Sequence, residues 1–351
     1  MNHPIIKARL KLLYAAPLVI ASTALAVSVI APQIARASTP DLPPISPNQL
    51  LSWIKSTSPI PLNGTVSGTT SFPVPSASLL NSSNPESALS GSTTESYNVW
   101  TNGSGSFRAQ QVSQASETDL YVTPGSAWLW NSAKLTATNV KHSGIQANGY
   151  SFRSNPGVTA SEIVSRLSVY STLSVSGNTM VAGRPAYTLS IVPTAGDSLI
   201  GSIQIAVDGQ THIPVQVQIF PKGSTAPAAS LGYVTLRFAS QPSSIFSFSP
   251  PSGARVVNPV QNAAQNGKKP NSVGSTKVVG TGFNSVVVAT GVSKATSALG
   301  GIEKSLPVVA TSLGSGRLYS TPIFEAILLP NGTVVAGAVD TSRLLQVVAG
   351  L

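Results

Sequence analysis

The sequence predicts an α+β protein dominated by one large antiparallel sheet. Short segments of alternating apolar and polar residues follow one another, and tight-turn pairs such as Asn102-Gly103, Pro124-Gly125 and Asp208-Gly209 separate several of them. Helical periodicity is confined to two segments before residue 258. Strands joined by short turns pair antiparallel, because a parallel pair needs a long crossover between its strands.

The two predicted helices are short. Ser46 can cap the first, over residues 46–56, and Thr159 and Glu162 have the spacing of a capping box at the start of the second, over residues 159–170. The apolar stripes that would face the sheet are Leu50, Leu51 and Ile54 in the first helix, and Ile163, Val164 and Leu167 in the second.

The predicted strands lie on both sides of the second helix. Those before it are residues 97–100, 106–112, 119–122, 127–130 and 134–140; those after it are residues 172–176, 185–191, 202–207, 213–219 and 232–238. Pro214 lies inside one of these patterns. Because proline has no backbone N–H, its position indicates an edge strand or the start of a strand.

Four regions are expected along the chain. Residues 1–37 resemble a signal peptide, with a basic start, an apolar stretch and the small-x-small sequence Ala35-Arg36-Ala37; an uncleaved membrane anchor is the alternative. Residues 38–257 form the main domain. Residues 258–277 have the composition of a linker, and residues 278–351 form a small, β-rich C-terminal domain. The protein is therefore expected outside the cytoplasmic membrane, in the cell envelope or secreted.

Composition excludes several classes of function. The chain has 351 residues, no cysteine and three histidines, which excludes disulfides and thiolate metal sites and leaves too few ligands for a histidine metal centre. The net charge is +10, but the basic residues are scattered rather than gathered on one segment, which argues against nucleic-acid binding. With only eleven carboxylates, few groups can unfold the protein by protonation, so acid tolerance is expected.

Catalytic patterns are absent from the sequence. There is no nucleophile elbow, zinc-protease motif or P-loop, and neither a catalytic residue nor a cofactor is predicted. Glu117 and Asp119 are an example of a carboxylate pair that a hydrolase could use, although two acids spaced by two are common on solvated strands. The chain is predicted not to be an enzyme.

Aromatic residues are concentrated between positions 100 and 152. Trp128 and Trp130 share one face of a strand, because strand side chains alternate with period two. The aromatics either fill an ordinary core or line a cavity under a curved sheet that two helices cannot fully cover. The candidate cavity residues are Trp100, Phe107, Trp128, Trp130 and Tyr187.

These segments resemble, in the same order, those of LolA-like and RseB/MucB-like bacterial envelope proteins. The resemblance extends over about residues 48–257, and each motif is weak by itself. The matching stretches are Tyr97-Asn98-Val99-Trp100 with Gly105-Ser106-Phe107-Arg108, residues 122–132, residues 181–189, residues 205–217 and residues 244–254.

The resemblance implies an incomplete, half-open β-barrel with helices over its concave face. Members of the family carry the acyl chains of lipoproteins, or sense lipid or lipoprotein and restrain an anti-sigma factor. The resemblance implies that Arg108, in the R-F-R-type strand, latches a helical lid. Residues after 258 do not match the partner-binding domain of the regulators.

The function expected from the sequence is non-catalytic binding of a lipid, an acyl chain or an acylated protein, for transport or sensing. The alternative is an RseB-like regulator that binds an anti-sigma factor or another membrane protein through residues 278–351. No metal and no nucleic acid is expected in either case.

Overall fold

A computed structural model describes residues 42–56, 58–72, 92–141, 155–258, 275–291 and 305–351. The predicted signal peptide lies outside these residues, and so does nearly all of the predicted linker. The domain boundaries therefore stay a prediction.

A twelve-stranded sheet forms most of the structure, in the order β12-β6-β5-β4-β3-β2-β1-β11-β10-β9-β8-β7. Its strands are β1 (Pro61–Thr70), β2 (Thr93–Asn102), β3 (Phe107–Val112), β4 (Glu117–Thr123), β5 (Ser126–Asn131), β6 (Thr136–Lys141), β7 (Ser171–Val181), β8 (Arg184–Pro193), β9 (Ile200–Asp208), β10 (Pro214–Pro221), β11 (Ala229–Arg237) and β12 (Arg255–Val257). All neighbours pair antiparallel except β12 and β6. In the part of the chain that is described, β12 and β7 do not pair, so the sheet is open, as predicted for a half-barrel.

Two helices cover one face of this sheet. They are α1 (Pro47–Ser56) and α2 (Pro156–Leu167). Leu50 and Ile54 of α1 and Val164 of α2 are buried against residues of β8–β10 such as Leu189 and Ile205. We call this the helix-covered face.

The helix starts follow the rules of capping. The hydroxyl of Ser46 accepts a hydrogen bond from the backbone N–H of Gln49, at 3.2 Å, as predicted for α1. The predicted start of α2 at Thr159 is wrong, because Asn155 caps the helix. Its side-chain oxygen accepts from the N–H groups of Gly157 and Val158, and Pro156 occupies the first turn, where a missing N–H costs nothing.

The predicted strand positions are largely confirmed, with three differences, one of which is that the three-residue strand β12 was not predicted. Strand β1 was not predicted, because its sequence PLNGTVSGTT has almost no apolar alternation. Leu135 lies in a turn with a φ of 45°, not in β6. Pro214 begins β10, as its missing N–H predicts.

A second sheet has six strands in the order β13-β14-β18-β17-β16-β15. They are β13 (Thr276–Val279), β14 (Val286–Ala289), β15 (Val308–Thr311), β16 (Gly314–Ser320), β17 (Glu325–Leu328) and β18 (Val334–Gly337). A helix, α3 (Thr341–Ala349), follows β18, and Asp340 caps it by accepting a hydrogen bond from the N–H of Arg343. Leu344, Val347 and Val348 of α3 pack on one face of this sheet, so the C-terminal region is β-rich with one helix.

The two sheets contact each other through backbone and side chains. Ser198 and Val339 form an isolated antiparallel bridge, and the N–H of Asp340 donates to the carbonyl of Asp197 at 3.0 Å. Phe283 belongs to the same buried cluster as the residues under α1 and α2. The second sheet is therefore fixed at the end of the large sheet where β9 begins.

Candidate ligand-binding site

A pocket of about 290 Å³ lies beside the C-terminal end of α1 and the N-terminal end of α2, on the helix-covered face. Its apolar wall consists of Ile54, Pro59, Ile60, Leu62, Phe107, Val158, Ile213, Pro214 and Tyr233. This volume lies near the lower end of the roughly 300–1,000 Å³ that is usual for ligand pockets. The pocket is built from five strands and both helices, so residues far apart in the chain meet there.

The pocket has a buried end and an open mouth. Ile54, Leu62, Ile213 and Tyr233 are each less than a tenth exposed. Lys55, at the end of α1, is exposed, as is Ser161 on α2. A bound ligand would therefore contact apolar side chains at the buried end of the pocket and charged or polar groups at its mouth.

Most polar groups around the pocket already have partners. Asn155 accepts from two amide groups of α2, and the hydroxyl of Thr101 donates to the carbonyl of Ser106 at 3.0 Å. Glu162 pairs with Arg166 one turn later, at 3.0 Å. The first turn of α2 therefore offers no strong anion site, because the Asn155 side chain occupies its amide groups.

Phe107 lines the pocket, but it shares no wall with Trp100, Trp128 and Trp130. Leu62, Thr101 and Phe107 are partners across β1, β2 and β3, and all three line the pocket. In the adjacent row Trp100, Arg108, Tyr121 and Trp128 are partners across β2–β5. Neighbouring rows point to opposite faces of a sheet, so the prediction of one common wall is wrong.

The space beside Trp128 and Trp130 holds a side chain of the protein itself. The ring of Phe248 lies 4.9 Å from the ring of Tyr121, 5.5 Å from that of Trp128 and 6.0 Å from that of Trp130, measured between centroids. Phe248 belongs to the segment between β11 and β12, which runs across β3 and β4 before β12 joins the sheet edge. The predicted hollow at these tryptophans is thus filled, and we call these four side chains the aromatic cluster.

Arg108 contacts an aspartate of its own sheet. Its guanidinium donates to both carboxylate oxygens of Asp119, at 3.2–3.3 Å, and lies over the rings of Trp100 and Tyr121. Because this row faces away from α1 and α2, none of these contacts reaches a helix. These contacts of Arg108 do not support the role of a helix latch that the resemblance implies.

Asp119 is fully buried and has an unusual protonation equilibrium. Burial raises the pKa of Asp119 to about 7, the neighbouring Glu117 carboxyl adds to the rise, and Arg108 opposes it. A second pair, Arg184 and Asp208, behaves differently. Burial by itself would raise the pKa of Asp208, but hydrogen bonds from Arg184 and Thr211 hold it below its usual value.

Tyr187 lies in the core under α1. Its hydroxyl donates to the carbonyl of Pro43 at 2.8 Å, and its ring meets that of Trp53 edge-on, at 5.8 Å between centroids. It is 5% exposed and does not line the pocket beside α1 and α2. Tyr187 therefore ties the segment before α1 to β8.

Several pocket residues were not predicted from the sequence. Leu62 belongs to the unpredicted β1, and Ile54, Ile213 and Tyr233 read as ordinary core positions. Tyr233 could have been noticed because it places a hydroxyl in the middle of the apolar pattern of β11. Across the described residues, no three His, Asp or Glu side chains are grouped so as to hold a metal ion, and no helix is long and apolar enough to span a membrane.

Among known proteins, this chain is similar to solved structures only. No protein-family model and no curated protein matches the sequence. The solved structures similar to this chain include MucB. That structure is 13% identical, has a TM-score of 0.43, and the match covers 86% of this chain and 96% of MucB.

Two further solved structures are similar to this chain. The MucA/MucB complex of Pseudomonas aeruginosa matches with 12% identity, a TM-score of 0.42 and coverage of 86% of this chain and 95% of the matched chain. A LolA superfamily protein from Nitrosomonas europaea matches with 10% identity and a TM-score of 0.26, over 58% of this chain and 99% of its own. Both kinds of protein named by the sequence resemblance are thus among the similar structures. At these scores the likeness says nothing of a ligand or partner.

Proposed function

We propose that this chain is a non-catalytic binding protein that acts outside the cytoplasmic membrane and holds an acyl chain of a lipid or an acylated protein. The observation that carries the proposal is the pocket, whose wall is mostly aliphatic and aromatic and whose deepest residues are less than a tenth exposed. The location rests on the signal-peptide pattern in residues 1–37.

The pocket is large enough for a useful affinity. Its volume equals that of about ten water-sized groups, at roughly 30 Å³ each. Removing about ten methylenes from water contributes roughly 8 kcal/mol before the costs of association are subtracted. An affinity in the micromolar range or weaker needs no chemistry beyond burial.

The experiment uses the chain without residues 1–37. Protein purified from cells is extracted with organic solvent, and the extract is analysed by mass spectrometry; the delipidated protein is then titrated with a fluorescent fatty acid. We expect an acyl lipid in stoichiometric amount, or saturable binding of the probe. Protein that yields no lipid and does not bind the probe would contradict the proposal.

A second candidate function is the binding of a membrane protein through the second sheet. The sheet face opposite α3 carries two exposed valines near one edge, Val278 and Val287, which are cross-strand partners and are 59% and 39% exposed. Apolar side chains grouped on an open face are typical of interaction sites. A photo-cross-linker at position 287 in cells should capture one membrane protein, and the same group at Gln346 on α3 should not.

A further inference from the structure

Strand β7 forms one edge of the large sheet. It has eleven residues, Ser171–Val181, and among the described strands it pairs with β8 alone. The pairing with β8 is regular from Ser171 to Ser176 and shifts register before Asn178. Along the regular part, the backbone N–H and C=O groups on the outer side have no strand partner in the described part of the chain, so they can pair with a strand of another molecule.

The other sheet edges in the described residues are protected against such pairing, whereas β7 is not. Edge strands are usually short or carry charged residues or proline. Strand β12 has three residues and begins with Arg255, β13 has four residues and carries Lys277, and β15 has four residues. Strand β7 is much longer and contains neither a charged residue nor a proline. Its sequence therefore favours pairing with another strand.

The side chains of β7 are complementary to those of a second β7. Leu173 and Val175 are half-buried and pack against the cluster under α1 and α2, whereas Thr172 and Ser174 are exposed on the opposite face. An antiparallel pair centred on Ser174 places Leu173 of each copy opposite Val175 of the other. Cross-strand apolar pairs of this kind stabilise a sheet, and this register keeps every apolar side chain on the helix-covered face.

The charge of the chain favours the same arrangement. The sequence has 21 basic and 11 acidic residues, so charged segments of two copies repel each other. In a two-fold pair each residue lies close to its own counterpart, and a charged residue at the centre would face a like charge. The uncharged β7 avoids this repulsion.

We infer that β7 is a dimerisation edge, through which two copies of this chain pair antiparallel over residues 172–176 with the two-fold axis at Ser174. The two large sheets then form one continuous sheet. Because this axis runs perpendicular to the sheet, both helix-covered faces, each with its pocket, lie on the same side of the dimer. The inference goes beyond the proposed function and does not depend on it, because no step of it uses a ligand.

The first test measures the oligomeric state. Protein expressed from the full-length sequence is purified and studied by sedimentation velocity over a range of concentrations. We expect a dimer with a dissociation constant on the order of 10 µM, as is usual for a small interface. Ser174→Lys should weaken the dimer at least about tenfold, because two lysines meet at the axis. The control Gln114→Lys adds the same charge at an exposed position outside β7 and should dimerise like the wild type.

The second test measures the register, and the absence of cysteine from the chain makes it specific. Side chains directly opposite each other in a sheet have Cβ atoms about 4.5–5.5 Å apart, close to the reach of a disulfide. Oxidation with copper phenanthroline should therefore join two copies of Ser174→Cys. The matched control is Thr172→Cys, which is exposed on the same face. Its two copies would lie four positions apart along the ladder, about 13 Å, and should cross-link at least about tenfold more slowly.

Three results would overturn the inference. The first is a wild type that remains monomeric at several hundred micromolar, and the second is a dimer that Ser174→Lys leaves as tight as Gln114→Lys does. The third is equal cross-linking of Ser174→Cys and Thr172→Cys. Urea unfolding of each variant shows whether it is folded, and the cysteine pair still decides the matter if Ser174→Lys is not. None of these results bears on the binding of an acyl chain.

Discussion

Phe107 and Arg108 are consecutive in β3 and point to opposite faces of the large sheet. Phe107 lines the pocket beside α1 and α2, whereas Arg108 pairs with the buried Asp119 between the rings of Trp100 and Tyr121. The two faces are thus specialised: one keeps an apolar space, and the other is closed by aromatic and ionic contacts.

Filling the pocket should abolish ligand binding without unfolding the protein. Val158 lies in the first turn of α2 and is half-buried, so Val158→Trp would place an indole at the pocket with little disturbance of the core. We expect at least about a tenfold loss of probe affinity and a stability loss below about 1.5 kcal/mol. The control is Val169→Trp, at a position 78% exposed, which should bind the probe normally. Equal affinities of the two variants would place the ligand elsewhere.

Phe248 should stabilise the fold and have no part in binding. Phe248→Ala removes its contacts with Tyr121, Trp128 and Trp130, and because the ring is half-buried we expect a loss of about 2–3 kcal/mol in urea unfolding, together with a change in tryptophan fluorescence. Phe324→Ala, at a ring 38% exposed, serves as the control and should cost less. A Phe248→Ala protein of normal stability but altered ligand affinity would mean that the aromatic cluster is the binding site.

The two buried aspartates should give opposite dependences of stability on pH. Because the pKa of Asp119 is raised from 3.8 to about 7 in the folded state, the folded protein binds the extra proton, and this group's contribution to stability falls as the pH rises from about 4 to 7. Asp119→Asn mimics the protonated acid and should remove this loss of stability. Urea unfolding at pH 5 and pH 8 measures the change in the free energy of unfolding. An equal change in the wild type and the variant would contradict the prediction.

Asp208 provides the comparison. Its lowered pKa means that its stabilising contribution is present above the unfolded value of 3.8 and is lost as the pH falls below it. Asp208→Asn should therefore cost at least about 2 kcal/mol at pH 7, since Arg184 loses its partner. An Asp208→Asn protein with the free energy of unfolding of the wild type would show that the pair of Arg184 and Asp208 adds nothing to stability.

Removing the hydroxyl of Tyr187 should weaken the attachment of α1 and nothing else. Tyr187→Phe loses the hydrogen bond to Pro43, worth about 1 kcal/mol, while the ring keeps its contact with Trp53. Urea unfolding should show this loss, and the probe should bind as before. A selective loss of probe affinity would instead return Tyr187 to the ligand site that the sequence predicted.

Local patterns predicted much of the large sheet because most of its strands carry their own alternation and turn residues. The turns at Asn102-Gly103 and Asp208-Gly209 lie where the sequence placed them. Strand β1 was missed because its Gly, Ser and Thr residues carry no apolar pattern. Gly64 of β1 is needed for close approach, since a Cβ there would collide with the carbonyl oxygen of Thr235 in β11.

The site was predicted less well than the fold, for a geometric reason. Alternation assigns Trp128 and Trp130 to the same face of the sheet, but it does not show which face the helices cover. Phe107 lies on the helix-covered face, opposite the face of the two tryptophans. The residue that fills the space at the tryptophans, Phe248, is over a hundred positions further along the chain. Contacts of that range follow from the path of the whole chain, which no local pattern encodes.

Photoaffinity labelling tests the central claim most directly. An acyl chain that carries a diazirine group is bound to the delipidated protein and irradiated, and the modified peptides are identified by mass spectrometry. The pocket predicts labels on residues 54–62, 107 and 213–214, reduced by an excess of unlabelled lipid. Labels on Trp128, Trp130 or Phe248 instead would contradict the claim that the helix-covered face holds the ligand.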